Sequence, residues 1–429
     1  MHDYSGPLRE DFSWQMLAPK TLARFGREIM LCNQIHDRSM LPLVGKYWGS
    51  EAMTELALDE WMGSSPIYNR RNRLLHGIQG DGVDVIMKGF QLDIGAPHMW
   101  LQFHYDVESH DRGYFWLTSC GAYNGVREMT GKDQAAETQI CVHMEDPTFD
   151  ATVMAVNRGA RCTPVYRPPH ADDIPAAGPC RWEVSIADRI GVVEENAVTA
   201  VVAQSRAAQF EFSRPAVCGD GMANYSGPFK RDFRLEDLDS GMLATQVKEF
   251  ALDVHLLQRA CYTGIARRHG MDAVLRLIPD HAAAMASVYQ MRMRRLFGIE
   301  GDGMASILKL LQIDHHFVPE YVKTGVEWLD DTHGRFWIED CAAIGDGEPS
   351  GLLTDLWQGS TLGLQQIVAN ANPRSFVQLE EPSDKGRLVF GIDIDPAREA
   401  VPQSPLQPIV GASGLAELDL SEHTYRYAN

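Results

Sequence analysis

Gly77-Ile-Gln-Gly-Asp-Gly82 returns 221 residues later as Gly298-Ile-Glu-Gly-Asp-Gly303, and the chain around it returns with it. Tyr4-Ser-Gly-Pro7 matches Tyr225-Ser-Gly-Pro228, and each is followed by an Asp-Phe pair, Asp11-Phe12 and Asp232-Phe233. Gln91 matches Gln312, Asp93 matches Asp314, and Phe115-Trp116 with Cys120 matches Phe336-Trp337 with Cys341. Agreement at one offset, with no gap from Tyr4 to Cys120, marks a duplicated unit. On this reading the chain divides into a first repeat (1–190), a connecting segment (191–221), a second repeat (222–395) and a proline-containing tail (396–429).

Within each repeat the pattern predicts helices first and strands later. Leu243, Val247, Phe250, Val254, Leu257 and Cys261 fall at steps of three and four, the apolar stripe of a buried helix. Further helices are expected over 50–62 and 65–76, and another from Val83 to Leu92. The period then changes to two: Leu101, Phe103, Tyr105 and Val107 alternate with Gln102, His104, Asp106 and Glu108, which with Tyr114–Leu117 reads as a hairpin. Its copy is Val322–Trp328 with Phe336–Ile338. Arg161–Tyr166 and Arg181–Ile186 add two more strands. Asp146-Pro147-Thr148, ahead of them, reads as a helix start, with Ser360 capping in the second copy. Each repeat is thus an α+β unit, a helical layer packed on a short antiparallel sheet.

The bulk numbers agree with two full cores, since the chain has 429 residues and single cores rarely exceed about 250–300. With 39 basic against 58 acidic residues the formal net charge is −19, which repels nucleic acid. No window is apolar enough for a membrane span and the first residues do not resemble an export signal, so the expected location is the cytoplasm. The eight cysteines are widely spaced, which predicts reduced thiols. Neither a dinucleotide-binding nor a nucleotide-phosphate glycine motif is present.

Duplicated halves provide an internal control. Leu22, Gly26, Ile29, Asn33, His36 and Met40 occupy the stripe of the first helix, so Asn33 and His36 replace Val254 and Leu257. His76 stands where Phe297 does, and His104 where Gly325 does. Burying an unsatisfied polar group costs about 1–3 kcal/mol, so several such replacements in one copy predict a polar cavity there.

The segment from Cys120 to Trp182 carries the chemistry. If Ile140–Glu145 is extended, Cys141, His143 and Glu145 project on one face, where they would ligate a divalent metal or act as nucleophile, base and orienter. The order of Cys120, Cys141, Asp146 and Gly178-Pro179-Cys180-Arg181-Trp182 resembles the L-2-amino-thiazoline-4-carboxylic acid hydrolase-like family over residues 75–188. The resemblance implies an α+β module that binds small organic acids, with a cysteine-dependent hydrolytic member. The second copy keeps Cys341 but sets Asp355 and Trp357 against Cys141 and His143, and Arg387-Leu-Val lacks the last cysteine, a degenerate site. A fainter similarity is to cofactor-independent lyases of phenylcoumaran-type lignin dimers.

The expected function is a cofactor-independent lyase that decarboxylates a small aromatic or phenolic acid, or releases an aldehyde from it, by acid–base catalysis. The catalytic candidates are His143, His104, His36, Asp106, Cys141 and Glu145. Asn33, His76, Tyr105, Phe103, Trp116, Cys120 and Arg161 are the candidates for binding substrate. A cysteine- or metal-dependent hydrolase of a cyclic C–N compound is one alternative, and a non-catalytic small-molecule sensor is another. No cofactor is expected, with a divalent metal left open. The expected partners are a small-molecule substrate and a second copy of the chain in a homodimer.

Overall fold

A computed structural model describes all residues except 2, 171–173, 188–194, 214–218, 345–350, 381–385 and 422–429. In the first repeat, α1 (Pro19–Leu75) and α2 (Val83–Gln91) precede β1 (Leu101–Val107) and β2 (Arg112–Cys120). The short helices α3 (Gly121–Thr130) and α4 (Gln134–Thr138) lead through a π-helical turn, Gln139–Met144, into α5 (Glu145–Met154). Strands β3 (Ala160–Tyr166) and β4 (Cys180–Ile186) complete the repeat, and α6 (Ala197–Ala203) and α7 (Arg206–Gln209) lie in the connecting segment. The second repeat runs α8 (Ser240–His269), α9 (Met271–Phe297), α10 (Met304–Gln312), β5 (Thr324–Trp328), β6 (His333–Glu339), α11 (Leu352–Trp357), α12 (Leu362–Ala371), β7 (Ser375–Leu379) and β8 (Arg387–Ile394). A last turn, α13 (Gln407–Val410), lies in the tail.

The two sheets have the same antiparallel order, β1-β2-β4-β3 and β5-β6-β8-β7, so the protein is an α+β fold with two four-stranded sheets. The glycines of the repeated hexapeptide explain its recurrence. Gly77 and Gly298 take φ of 63° and 64° at the ends of α1 and α9, where a Cβ would be strained, and Gly80 and Gly301 also have positive φ. Gly49 breaks α1 at φ 90°, and its counterpart Gly270 separates α8 from α9 at φ 82°. The expected helices over 50–62 and 65–76 form one uninterrupted segment after Gly49, with Pro66 accommodated inside it.

The repeats are interlocked. Near the crossing of α1 and α8, Gly26 lies against Val247, its own counterpart in the repeat, and a Cβ added at Gly26 would come within 3.0 Å of that valine. The opening segment of each repeat docks on the other. Tyr4 donates its hydroxyl to Gln312 Oε1 at 2.8 Å, and Tyr225 donates to Gln91 Oε1 at 2.9 Å. Lys309 donates to the Tyr4 carbonyl, and Lys88 to the Tyr225 carbonyl. The repeated Tyr-Ser-Gly-Pro and Gln positions are therefore two ends of one exchanged contact.

Past Cys120 and Cys341 the offset shortens. Asp150 accepts from Cys162 N and Gln365 from Val377 N, two matching anchors 215 residues apart. This corrects the pairing expected from sequence: Leu356, not Asp355, stands against Cys141, and Ser360 stands against Glu145. Cys218 lies outside the described residues, and the other seven cysteines are buried free thiols. No helix among the described residues is long and apolar enough to cross a membrane.

Candidate functional site

A cavity of about 290 Å³ lies in the first repeat, between α1, the inner face of the first sheet, and α3 and α5. Phe90, Phe103, Phe149 and Trp61 give it aromatic walls, and Ile409 from α13 closes one side. Its polar groups are Gln34, Asp37, Arg38, Tyr68, Asp93, Tyr123, Glu145, Thr148, Thr152 and the thiols of Cys120, Cys141 and Cys180.

The chain between Cys120 and Glu145 is helical, which corrects the expected extended stretch Ile140–Glu145. In a strand Cys141, His143 and Glu145 would share a face. In a helix residues four apart share it while a residue two apart points away. Cys141 and Glu145 accordingly line the cavity, and His143 is exposed. Asp146 does not cap α5 but forms an ion pair with Arg167 at 2.7 Å, because the π-helical turn runs straight into the helix. Ser360 Oγ accepts from Leu362 N, but the capping position of α12 is Thr361, whose side chain makes no capping bond.

Of the residues proposed from sequence, Phe103, Cys120, Cys141 and Glu145 line the cavity. His104 is on the opposite face of β1, stacked on Trp116 and within 3.1 Å of Thr118 Oγ1. The alternation of the strand that carries Phe103 inward carries His104 and Trp116 outward. Tyr105 packs in the core beside Phe103 and Phe229. Asp106 pairs with Arg231 of the docked second-repeat segment. Arg161 folds back to the Ala160 carbonyl and the Met154 sulfur.

Asn33, His36 and His76 are all buried, and the two histidines meet the second repeat. Asn33 donates to the Met30 and Ile94 carbonyls and accepts from Gln34, which it thereby orients at the cavity wall. His76 binds Gln246 Oε1 through Nε2 at 2.6 Å and accepts from Tyr225 N through Nδ1. His36 Nδ1 is 2.9 Å from His281 Nε2.

Electrostatically the cavity holds carboxyls that ionise near neutral pH. Burial pushes Glu145 up to about 7, reinforced by the Asp146 charge and opposed by Arg167. Asp93 is also raised to about 7 by burial, against hydrogen bonds from Gly95 N and Tyr68. Burial raises the thiols of Cys141 and Cys180, with Glu145 adding to the shift, and pushes Cys120 up to about 12. Arg38 is the one cationic side chain in the lining among the described residues. Its guanidinium donates to the Ala412 and Gly121 carbonyls, lies 4.9 Å over the Trp100 ring and pairs with no carboxylate among the described residues.

Arg38, Asp93 and Tyr68 escaped the comparison of copies because Arg259, Asp314 and Tyr289 stand at their matching positions. Differences between repeats cannot reveal a residue that both retain. In the second repeat His316 replaces Gly95, Leu356 replaces Cys141 and Ser360 replaces Glu145. No protein-family model matches the chain, and no curated protein or solved structure is significantly similar to it.

Proposed function

We propose that the first-repeat cavity is the active site of a cofactor-independent lyase acting on a small aromatic or phenolic acid. One observation carries the reading: an aromatic-walled cavity of about 290 Å³ combines a single cation, Arg38, with two carboxyls, Glu145 and Asp93, held at about 7. That volume is close to the lower end of small-ligand pockets, roughly 300–1,000 Å³. An arginine in ion-pair contact with no acid among the described residues suits a carboxylate or phenolate.

In the proposed reaction one carboxylate, Asp93 in our reading, removes the phenolic proton. The electron pair released into the ring is taken up at the carbon that bears the departing group, to which Glu145, in its protonated form, delivers a proton. The C–C bond then breaks, its electron pair restores the aromatic phenolate, and the departing group leaves as carbon dioxide or, having given up its hydroxyl proton, as an aldehyde. Groups that ionise near the working pH are suited to both steps.

A thiol-dependent hydrolase of a cyclic C–N compound is the second reading. It is favoured by the convergence of Cys120, Cys141 and Cys180 on the cavity and by the sequence resemblance to the thiazoline-carboxylate hydrolase-like family. Against it, burial holds these thiols protonated, whereas the thiolate is the nucleophile.

The test is turnover of hydroxylated aryl acids, followed by release of carbon dioxide or aldehyde. Glu145→Gln and Asp93→Asn should each lower the rate by about 10²–10⁴-fold while ligand binding persists, and Cys141→Ser should remain active. Loss of activity in folded Cys141→Ser, with both carboxyl variants active, would overturn the lyase in favour of the hydrolase.

A further inference from the structure

Behind the cavity wall, α1 and α8 bury a second group of ionisable side chains that the proposed reaction does not use. His36 and Glu60 of α1 and Cys261 of α8 are fully buried. One ligand-type atom from each lies within 4.8 Å of the others, and His36 Nε2 is 3.4 Å from Glu60 Oε2. Among the described residues no hydrogen bond of good geometry satisfies His36 Nε2 or either Glu60 oxygen, although the Asp37 carboxyl and the Cys261 thiol both lie against Glu60. Buried polar atoms are almost always satisfied, and an orphaned set facing one point asks for a ligand.

We propose that His36 Nε2, the Glu60 carboxylate and Cys261 Sγ form a three-ligand site for a divalent transition metal of the zinc class, joining the two repeats. Nitrogen, oxygen and sulfur donors bind zinc at about 2.0–2.3 Å, which puts tetrahedral ligands roughly 3.3–3.8 Å from one another. The His36–Glu60 separation already meets that spacing. The carboxylate and the thiolate together balance the dication, and each gives up its proton on binding.

The surroundings complete the case. A metal-bound histidine ordinarily donates its second ring nitrogen to a fixed partner, which sets tautomer and orientation. His36 Nδ1 has that partner in His281 Nε2, and His281 Nδ1 is 2.7 Å from the Tyr262 hydroxyl. The repeat supplies a control as well. Leu257, His281 and Met40 stand at the positions matching His36, Glu60 and Cys261. Two of those three are apolar, so helix packing alone does not require polar groups at this depth. Asp37, whose Oδ1 also lacks a partner, lies against Glu60 and lines the cavity. The metal therefore sits one side chain behind the candidate active site, and its assignment does not depend on the lyase reading.

The test uses the full chain, stripped with a chelator and titrated with zinc alone or cobalt(II) alone. One zinc per chain is expected, and cobalt should produce a thiolate-to-metal charge-transfer band. Cys261→Ser should remove that band, and His281→Leu should weaken zinc binding about 10–100-fold, as the loss of an outer partner does. Cys141→Ser should change neither. Failure of the unaltered protein to bind zinc stoichiometrically, or to give the cobalt band, overturns the proposal without recourse to any variant. A band that survives Cys261→Ser, or disappears in Cys141→Ser, overturns it equally. Should Cys261→Ser not fold, Cys261→Met, the residue found at position 40, serves in its place.

Discussion

Arg71 grips Glu249 through two hydrogen bonds of 2.6 and 2.9 Å, and Arg292 grips Glu28 through the same fork with the repeats reversed, at 2.6 and 3.0 Å. Arg71 and Arg292 are matching positions, as are Glu28 and Glu249, so one pairing has been used twice across the interface of the repeats. Removing one partner of a buried pair leaves the other charged and unpaired, a loss of about 3–5 kcal/mol. Arg71→Ala should therefore lower the unfolding free energy by that order. Replacing Arg71 and Glu249 together by apolar residues should cost much less. Urea titration of the single and double variants checks the difference, and equal losses would count against the pairing as described.

Arg38 reaches the cavity through a space that Gly125 leaves open. A Cβ at residue 125 would come within 2.2 Å of the guanidinium Nη2. Gly125→Ala should displace Arg38 and weaken binding of a carboxylate ligand almost as much as Arg38→Met does, with little effect on a neutral ligand of the same shape. Calorimetric titration with an aryl acid and its primary amide separates the two. If both ligands lose affinity equally, the effect is one of volume and Arg38 is not the anion anchor.

The fold was legible because duplication, helical stripe and strand alternation all left local marks in the sequence. Strands β3 and β4 appear within a residue of where the pattern put them. The site was legible only in part, for two physical reasons. A six-residue stretch such as Ile140–Glu145 carries little periodicity, and helix and strand put His143 on opposite sides. Polarity that replaces an apolar counterpart marks the interface between repeats as readily as a cavity. His36 and His76 were found that way and lie in that interface, and Asn33 bonds within its own repeat, whereas Arg38 and Asp93, retained in both copies, left no contrast to read.

His76 couples the interface to pH. Burial lowers its pKa from 6.5 to about 4, against a raising contribution from Gln246. A histidine depressed in the folded state is neutral there, while the unfolded chain takes up a proton below 6.5. Stability is therefore full above pH 6.5 and falls as the pH drops toward 4, by on the order of 2–3 kcal/mol for this group. His76→Gln should be less stable at pH 7, having lost the acceptor for Tyr225 N, yet lose less on acidification. Unfolding curves at pH 7 and 4.5 for both proteins decide it, and parallel acid losses would remove His76 from the account.

The pH dependence of turnover can identify Glu145 independently of any loss-of-function variant. As the group that delivers the proton, Glu145 is active when protonated, so the rate should fall above its pKa of about 7, while the need for an ionised Asp93 makes it fall on the acid side, a bell centred near neutral pH. Asp93 is raised to a similar value, so the alkaline limb alone does not say which carboxyl is responsible. Their neighbours differ. The Asp146 charge raises Glu145 and the Arg167 charge lowers it, while neither contributes to Asp93. Asp146→Asn should therefore move the falling limb to lower pH, both by removing a negative charge and by leaving Arg167 unneutralised. Arg167→Met should move it to higher pH. Opposite displacements of the same limb, with ligand affinity unchanged at pH 5, would assign the proton donor to Glu145; a limb that stays fixed in both variants would assign it elsewhere.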